Sequence, residues 1–212
     1  AELTEWLLFG LVDFDFICES LLPSQYRESG DEKLHVGEMA YDVVLVPGCD
    51  TLRSTTLDAL EQFADHGGRV IFAGEPPCAA DALLSGRPCA LAERCEQIPF
   101  EHKALLNALE PVRELDIRTP QGTRSDNLLS QMRDDGEGRW LFVCHCFPPS
   151  TPDDPPQEHY TISLRESWSV TWYDTLTGRI LPLESCRCHG VTQLEWHCDC
   201  HDSLLLRLEK AD

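Results

Sequence analysis

Positive charge is scarce in this sequence: Lys and Arg total 17 against 37 Asp and Glu, a formal net charge of −20. A surface of that sign repels phosphate backbones and anionic lipid headgroups, which argues against nucleic acid and membrane as partners. Long apolar runs are lacking too. The stretch from Trp6 to Val12 is soon interrupted by Asp13 and Asp15, well short of the ~20 residues that a membrane-spanning helix needs. No charged-then-apolar leader with a small-residue cleavage site opens the chain. It begins Ala1-Glu2-Leu3-Thr4, without methionine and already inside a helical pattern, as a segment of a longer polypeptide would. Neither Gly-x-Gly-x-x-Gly nor a lysine-bearing phosphate loop occurs, so nucleotide binding has no support and no cofactor is expected.

Cysteine, by contrast, is abundant, with 11 residues in a chain of 212. Disulfide frameworks belong mostly to short secreted chains that cannot build a core, and this chain has ample apolar sequence. The expectation is free thiols in a reducing cytoplasm. Six of the cysteines form three Cys-x-Cys pairs: Cys144-His145-Cys146, Cys186-Arg187-Cys188-His189 and His197-Cys198-Asp199-Cys200-His201. Zinc sites usually leave two to four residues between cysteines, so that a turn aims both sulfurs at one ion. One intervening residue in a strand leaves the thiols on one face but roughly 7 Å apart. We therefore expect these cysteines to act as small core hydrophobes, with Trp140, Phe142, Cys144 and Cys146 sharing one face and Trp196, Cys198 and Cys200 another. Zinc and disulfides are the alternatives. His197, Asp199 and His201 form a polar stripe that is the weak metal candidate.

Periodicity divides the chain. Residues 3–11 read as an amphipathic helix, 13–18 alternate like a strand, and a short helix follows near 19–22. Residues 25–33 read as a loop. Residues 41–46 are a β-branched run of the kind found in buried parallel strands, stopped by Pro47-Gly48. Ser54 or Thr55 is the expected cap of a helix carrying Leu57, Leu60, Phe63 and Ala64, which His66-Gly67-Gly68 ends. Residues 69–73 form a second buried strand. Strand, helix and strand with short connections imply a right-handed βαβ unit in a parallel sheet. Helical pieces over 78–100, a helix over 101–109 and a strand over 112–117 complete this half. Beyond it lie a hairpin over 127–133 and 139–147, a proline-rich acidic connector over 148–156, and short strands near 160–165, 170–174, 179–183, 191–198 and 203–209. The boundary is drawn at Gln121-Gly122, giving an α/β domain over 1–121 and a small antiparallel β-sandwich-like domain over 122–212.

Ligands bind open α/β sheets at the carboxyl ends of the strands. Those ends here are Pro47-Gly48-Cys49-Asp50 and Gly74-Glu75-Pro76-Pro77. A nucleophile elbow at the second would favour flanking glycines and free N–H groups, whereas two prolines remove the donors of an oxyanion hole. Glu75, Cys78 and Cys49 are thus weak catalytic candidates, and we assign no catalytic residue. The rings of Trp168, Trp172, Trp196 and Tyr173 could stack on sugars, but core packing is the simpler expectation. No pair of carboxylates can be singled out among so many acids.

The stretches Tyr41 to Gly48, Leu57 to Phe63 and Gly67 to Gly74 resemble the class I glutamine amidotransferase-like (flavodoxin-like) fold. The similarity is to its version known as the β-galactosidase trimerisation domain. The resemblance implies a domain without a nucleophile that follows a catalytic barrel and shapes oligomer contacts or the active-site rim. Arg133-Asp134-Asp135-Gly136, Trp140 to Val143, Tyr173 to Gly178 and Ser203 to Leu206 are similar to C-terminal β modules of large bacterial glycosidases, including α-rhamnosidase-like ones. There the stretch matching Phe142 to Cys146 often ends in Asn, where this chain has Cys144-His145-Cys146. The expected role is a non-catalytic accessory region of a glycoside hydrolase, partnered by a catalytic domain of the same polypeptide and by further copies of itself. An amidotransferase-like hydrolase with a Cys nucleophile, and a carbohydrate- or zinc-binding module, are the alternatives.

Overall fold

The structure is a computed structural model that describes residues 2–149, 151, 157–200 and 202–211. The chain forms two compact units, Asp15–Val112 and a second assembled from Ala1–Phe14 and Arg113–Asp212. The expected cut at Gln121-Gly122 falls inside the second unit. Leu115–Arg118 pairs antiparallel with Gln157–Arg165, burying Leu115 and Ile117. Gln121-Gly122 is a turn within that unit, closed by the Gly122 N–H donating to the Thr119 carbonyl at 2.8 Å. Turn residues therefore mark a reversal here and not a linker.

In the unit Asp15–Val112, three parallel strands run in the order Val43–Pro47, Arg69–Ala73 and Glu96–Ile98. Arg69–Ala73 is central, and Val70 to Ala73 are buried, as a strand covered on both faces requires. Helix Ser54–Asp65 connects the first two strands and turns Leu57, Leu60 and Phe63 inward. Neither Ser54 nor Thr55 caps it as expected. The cap comes from across the unit: the Asp81 carboxylate accepts the Ser54 N–H at 3.1 Å and the Ser54 hydroxyl. Asp81 and Ala82 hold φ of 49° and 63° in the two-residue turn joining Ala79–Ala80 to Leu83–Leu84. Of the helical pieces expected over 78–100, Arg87–Arg94 is a helix, the hairpin precedes it, and the third parallel strand follows it in the same stretch. Residues 13–18 form no strand, whereas the expected loop over 25–33 contributes Tyr26–Arg27 to a small antiparallel sheet with Leu34–Val36 and Met39–Tyr41.

The second unit contains two antiparallel sheets. One orders Leu115–Arg118, Gln157–Arg165, Val191–Asp199 and Cys186–Cys188; the other orders Leu128–Asp134, Arg139–His145, Ser203–Lys210, Trp168–Tyr173 and Ile180–Pro182. Their inner faces share one core containing Ile117, Ile162, Leu164, Leu194 and Trp196 from the first sheet, and Leu141, Val143, Val170, Leu206 and Leu208 from the second. Helix Glu2–Phe9 packs on Leu128–Asp134, and Arg113 Nη1 donates to the Gly10 carbonyl, which ties the start of the chain to this unit. Most of the proline-rich connector lies outside the described residues.

Two tests follow from local geometry. A Cβ on Gly68 would lie 2.1 Å from the buried Phe63 ring, so Gly68→Ala is expected to destabilise by about 1–3 kcal/mol in denaturant unfolding; a neutral result would show the helix end to be looser than described. Asp135 is held at a pKa of about 2, mainly by Arg207 at 2.6 Å and further by the N–H groups of Glu137 and Gly138. A depressed carboxyl stabilises the fold above its unfolded value of about 3.9, and the contribution fades as pH falls toward 2. Asp135→Asn is therefore expected to flatten the pH dependence of the melting temperature across that window and leave an otherwise similar acid profile.

Candidate functional site

The carboxyl ends of the three parallel strands open into a cavity of about 590 Å³. Gly48, Cys49 and Asp50 follow the first strand, Gly74, Glu75 and Cys78 the second, and Phe100 the third. Gly74 makes the approach possible. Its φ is 95°, a Cβ there would meet the Phe100 Cβ at 3.4 Å, and its N–H donates to the Ile98 carbonyl at 2.9 Å. The chain thus brings Glu75, Cys78 and Cys49 to one cavity, although they come from two separate turns. Asp50 adds a second carboxylate, and the exposed Phe100 ring adds an apolar wall that the sequence had not suggested. Its only sequence signal is the position two residues after the third strand, a strand that was not itself recognised.

The thiols there are poorly placed for nucleophilic chemistry. Burial, followed by the charges of Glu19 and Asp50, pushes the Cys49 thiol up, away from the thiolate form that attacks. Cys78 donates weakly to the Asp50 carbonyl at 3.9 Å. Pro76 and Pro77 precede it without N–H groups, and among the described residues no histidine lines the cavity. A base–thiol pair and an oxyanion hole are the parts acyl transfer needs, and Pro76 and Pro77 have no N–H to give to the second.

In the β unit, Trp196, Cys198 and Cys200 are buried as the strand alternation suggested. The first pair departs from expectation. Leu141, Val143 and the His145 side chain face inward, while Phe142 and Cys146 are exposed and Trp140 and Cys144 are half-buried. Trp140 lies instead under the Arg207 guanidinium, 5.1 Å from the ring centroid, and edge-on to Tyr173. A mixed strand such as Trp140-Leu141-Phe142-Val143 carries apolar residues on both faces, so alternation alone does not choose the inner one. Cys186 and Cys188 are exposed, and the Cys188 thiol meets His189 Nδ1 at 2.9 Å. Trp168 is core, with Lys210 at 4.3 Å over its ring, and Trp172 and Tyr173 are half-buried.

His197 and Asp199 do lie on one exposed face, where His197 stacks on His159 at 4.0 Å and His159 meets Glu195 at 2.6 Å. His201 lies outside the described residues. A different set converges on the inner side: His145, Glu158 and Cys198 place one donor atom each within 4.8 Å of one another. Sequence reading treated each Cys-x-Cys pair separately and so missed a group drawn from two pairs and from a glutamate between them. The Cys198 thiol is pushed up to about 12 by burial and then by the Glu158, Asp202 and Asp199 charges. Burial also raises the Tyr160 phenol to about 12, and its O–H donates to Glu158 at 2.9 Å.

Solved glycoside hydrolases contain this fold. A rhamnosidase from Novosphingobium sp. PP1Y superposes with a TM-score of 0.65 at 16% identity, over 93% of this chain and 20% of its own. The alpha-L-fucosidase isoenzyme 2 from Paenibacillus thiaminolyticus gives 0.58 at 10% identity, over 99% of this chain and 44% of its own. The apo exo-carrageenase GH42 from Bacteroides ovatus gives 0.51 at 13%, over 99% and 26%. This chain therefore spans from a fifth to under half of those chains. No protein-family model matches the sequence, and no curated protein matches it. No helix among the described residues is long and apolar enough to cross a membrane.

The thiol chemistry is directly testable. The Cys18 thiol is exposed and lowered by hydrogen bonds from Ser20, whereas Cys49 and Cys95 are raised chiefly by burial. Limited alkylation at neutral pH, read by peptide mass spectrometry, is expected to label Cys18 well before Cys49 and Cys95. Labelling of Cys49 or Cys78 ahead of Cys18 would restore the nucleophile reading.

Proposed function

We propose that this chain is a non-catalytic accessory region of a glycoside hydrolase, which braces a catalytic domain of the same polypeptide or contacts further copies of itself. In this reading the unit Asp15–Val112 is a flavodoxin-like, amidotransferase-like domain of the β-galactosidase trimerisation type, and the β unit is a C-terminal module. The observation that carries it is the coverage: nearly all of this chain matches the rhamnosidase, the fucosidase and the exo-carrageenase, yet it spans only a part of each. The cavity supports it as well, since its turn carries two prolines and the half-buried Cys49 thiol is raised rather than activated.

The hairpin beside the cavity suggests where contact is made. Leu83 and Leu84 are 73% and 88% exposed, next to cavity-lining Cys78, and paired exposed leucines at a loop tip favour burial by a neighbouring surface. A reducing cytoplasmic location fits the eleven free thiols. A second reading, a sugar contact at the cavity, is favoured by one observation: the exposed Phe100 ring sits beside the Asp50 and Glu75 carboxylates, the apolar wall and acceptors that sugar faces and hydroxyls require.

The test is to assay residues 1–212, and the full open reading frame that encodes them, on a panel of aryl glycosides. Turnover by the longer protein and none by the 212-residue chain is the expected result. Turnover by the isolated chain that disappears in Glu75→Gln would overturn the accessory reading and make the cavity an active site.

A further inference from the structure

The inner-face cluster of the β unit gathers an imidazole, a carboxylate and a thiol. His145 Nδ1 lies 3.0 Å from the Asp202 backbone carbonyl, and since a carbonyl only accepts, that nitrogen carries a proton. In the neutral ring the lone pair is then on Nε2. Nε2 lies 2.6 Å from Glu158 Oε2, a contact that a proton shared between the two groups, or a cation held between them, would satisfy. The Glu158 carboxylate already accepts the Tyr160 hydroxyl at 2.9 Å on the same oxygen. The Cys198 sulfur completes a group whose donor atoms lie within 4.8 Å. The His145 side chain is 3% exposed and Cys198 5%, while the Glu158 side chain keeps 26% of its surface.

The geometry points to a zinc-binding site formed by His145, Glu158 and Cys198. The donor set is one imidazole nitrogen, one carboxylate oxygen and one sulfur, the mixed and borderline-soft combination that suits Zn²⁺ and disfavours Ca²⁺ or Mg²⁺. A backbone carbonyl holding the far ring nitrogen is the outer contact that orients a metal-binding histidine. Tetrahedral ligation at ordinary bond lengths separates nitrogen and oxygen by about 3.4 Å, so the His145–Glu158 contact opens by under an ångström on binding. Cys198 loses its thiol proton to solvent as the sulfur–metal bond forms.

The placement of the ligands gives the ion a task. His145 ends the strand Arg139–His145 of one sheet, whereas Glu158 and Cys198 face each other in the pair Gln157–Arg165 and Val191–Asp199 of the other. An ion there joins the two sheets at one end of their shared core. Cys200, buried two residues after Cys198, also lies within the field of Glu158. The site is distinct from the exposed His197 and Asp199 face and from the paired exposed thiols Cys186 and Cys188.

The experiment is a Co²⁺ titration of the reduced full chain, followed by Zn²⁺ displacement and thermal melting. One equivalent of Co²⁺ is expected to produce a thiolate-to-cobalt charge-transfer band that Zn²⁺ abolishes, and Zn²⁺ is expected to raise the melting temperature. The band should vanish in Cys198→Ser and persist in Cys186→Ser. Should the buried Cys198→Ser variant fail to fold, Glu158→Gln carries the test: it keeps shape at a partly exposed position and is expected to weaken Co²⁺ binding about tenfold or more and to abolish the Zn²⁺-dependent rise in melting temperature. Absence of the band in the wild type, its loss in Cys186→Ser, its survival in Cys198→Ser, or unchanged affinity in Glu158→Gln would overturn the site.

Discussion

The β unit depends on the antiparallel pairing of Gln157–Arg165 with Val191–Asp199, which matches nine residues on each strand. That register sets Tyr160 opposite Trp196, Ile162 opposite Leu194 and Glu158 opposite Cys198 on the inner face, and His159 opposite His197 on the outer. Five large apolar side chains, Tyr160, Ile162, Leu164, Leu194 and Trp196, are buried by it, each worth about 1.5–3 kcal/mol relative to exposure. A slip of one residue in Val191–Asp199 would turn Leu194 and Trp196 outward and bring Gln193 and Glu195 into the core. On its other edge Gln157–Arg165 pairs with Leu115–Arg118, which belongs to the same unit.

Where a strand has a single apolar face, the sequence states its orientation. Val191–Asp199 alternates without interruption, and its inner residues Leu194, Trp196 and Cys198 could be read directly. The run Arg69–Ala73 was equally legible, because continuous β-branched and aromatic residues between glycine turns suit only a covered central strand. Arg139–His145 was recognised as a strand, but its inner face was not. Trp140 and Phe142 are apolar yet lie outward, where Arg207 provides a cationic cover for the Trp140 ring. The two-residue strands around Thr51, Ala79 and Leu83 have no periodicity to detect, and Glu96–Ile98 reads as polar because only three residues pair.

The candidate sites divide along the same line. The cavity at the strand ends was accessible from sequence, since strand termini followed by glycine and proline mark the mouth of a parallel sheet, and Cys49, Glu75 and Cys78 all lie there. The His145, Glu158 and Cys198 cluster was not, because its members come from three strands and meet only through pairing and sheet packing. Spacing rules for metal ligands assume a local turn and do not describe ligands gathered across a sandwich. The Cys49 thiol is raised by burial, and the fold is matched by parts of larger glycosidase chains.

Nuclear Overhauser contacts in solution address the register most directly. Backbone contacts linking Glu158 with Cys198, Ile162 with Leu194 and Leu164 with Thr192 are the result required by this arrangement. A pattern offset by one residue, with His159 opposite Cys198 or Ser163 opposite Leu194, would contradict it, and with it the shared core and the inner-face cluster.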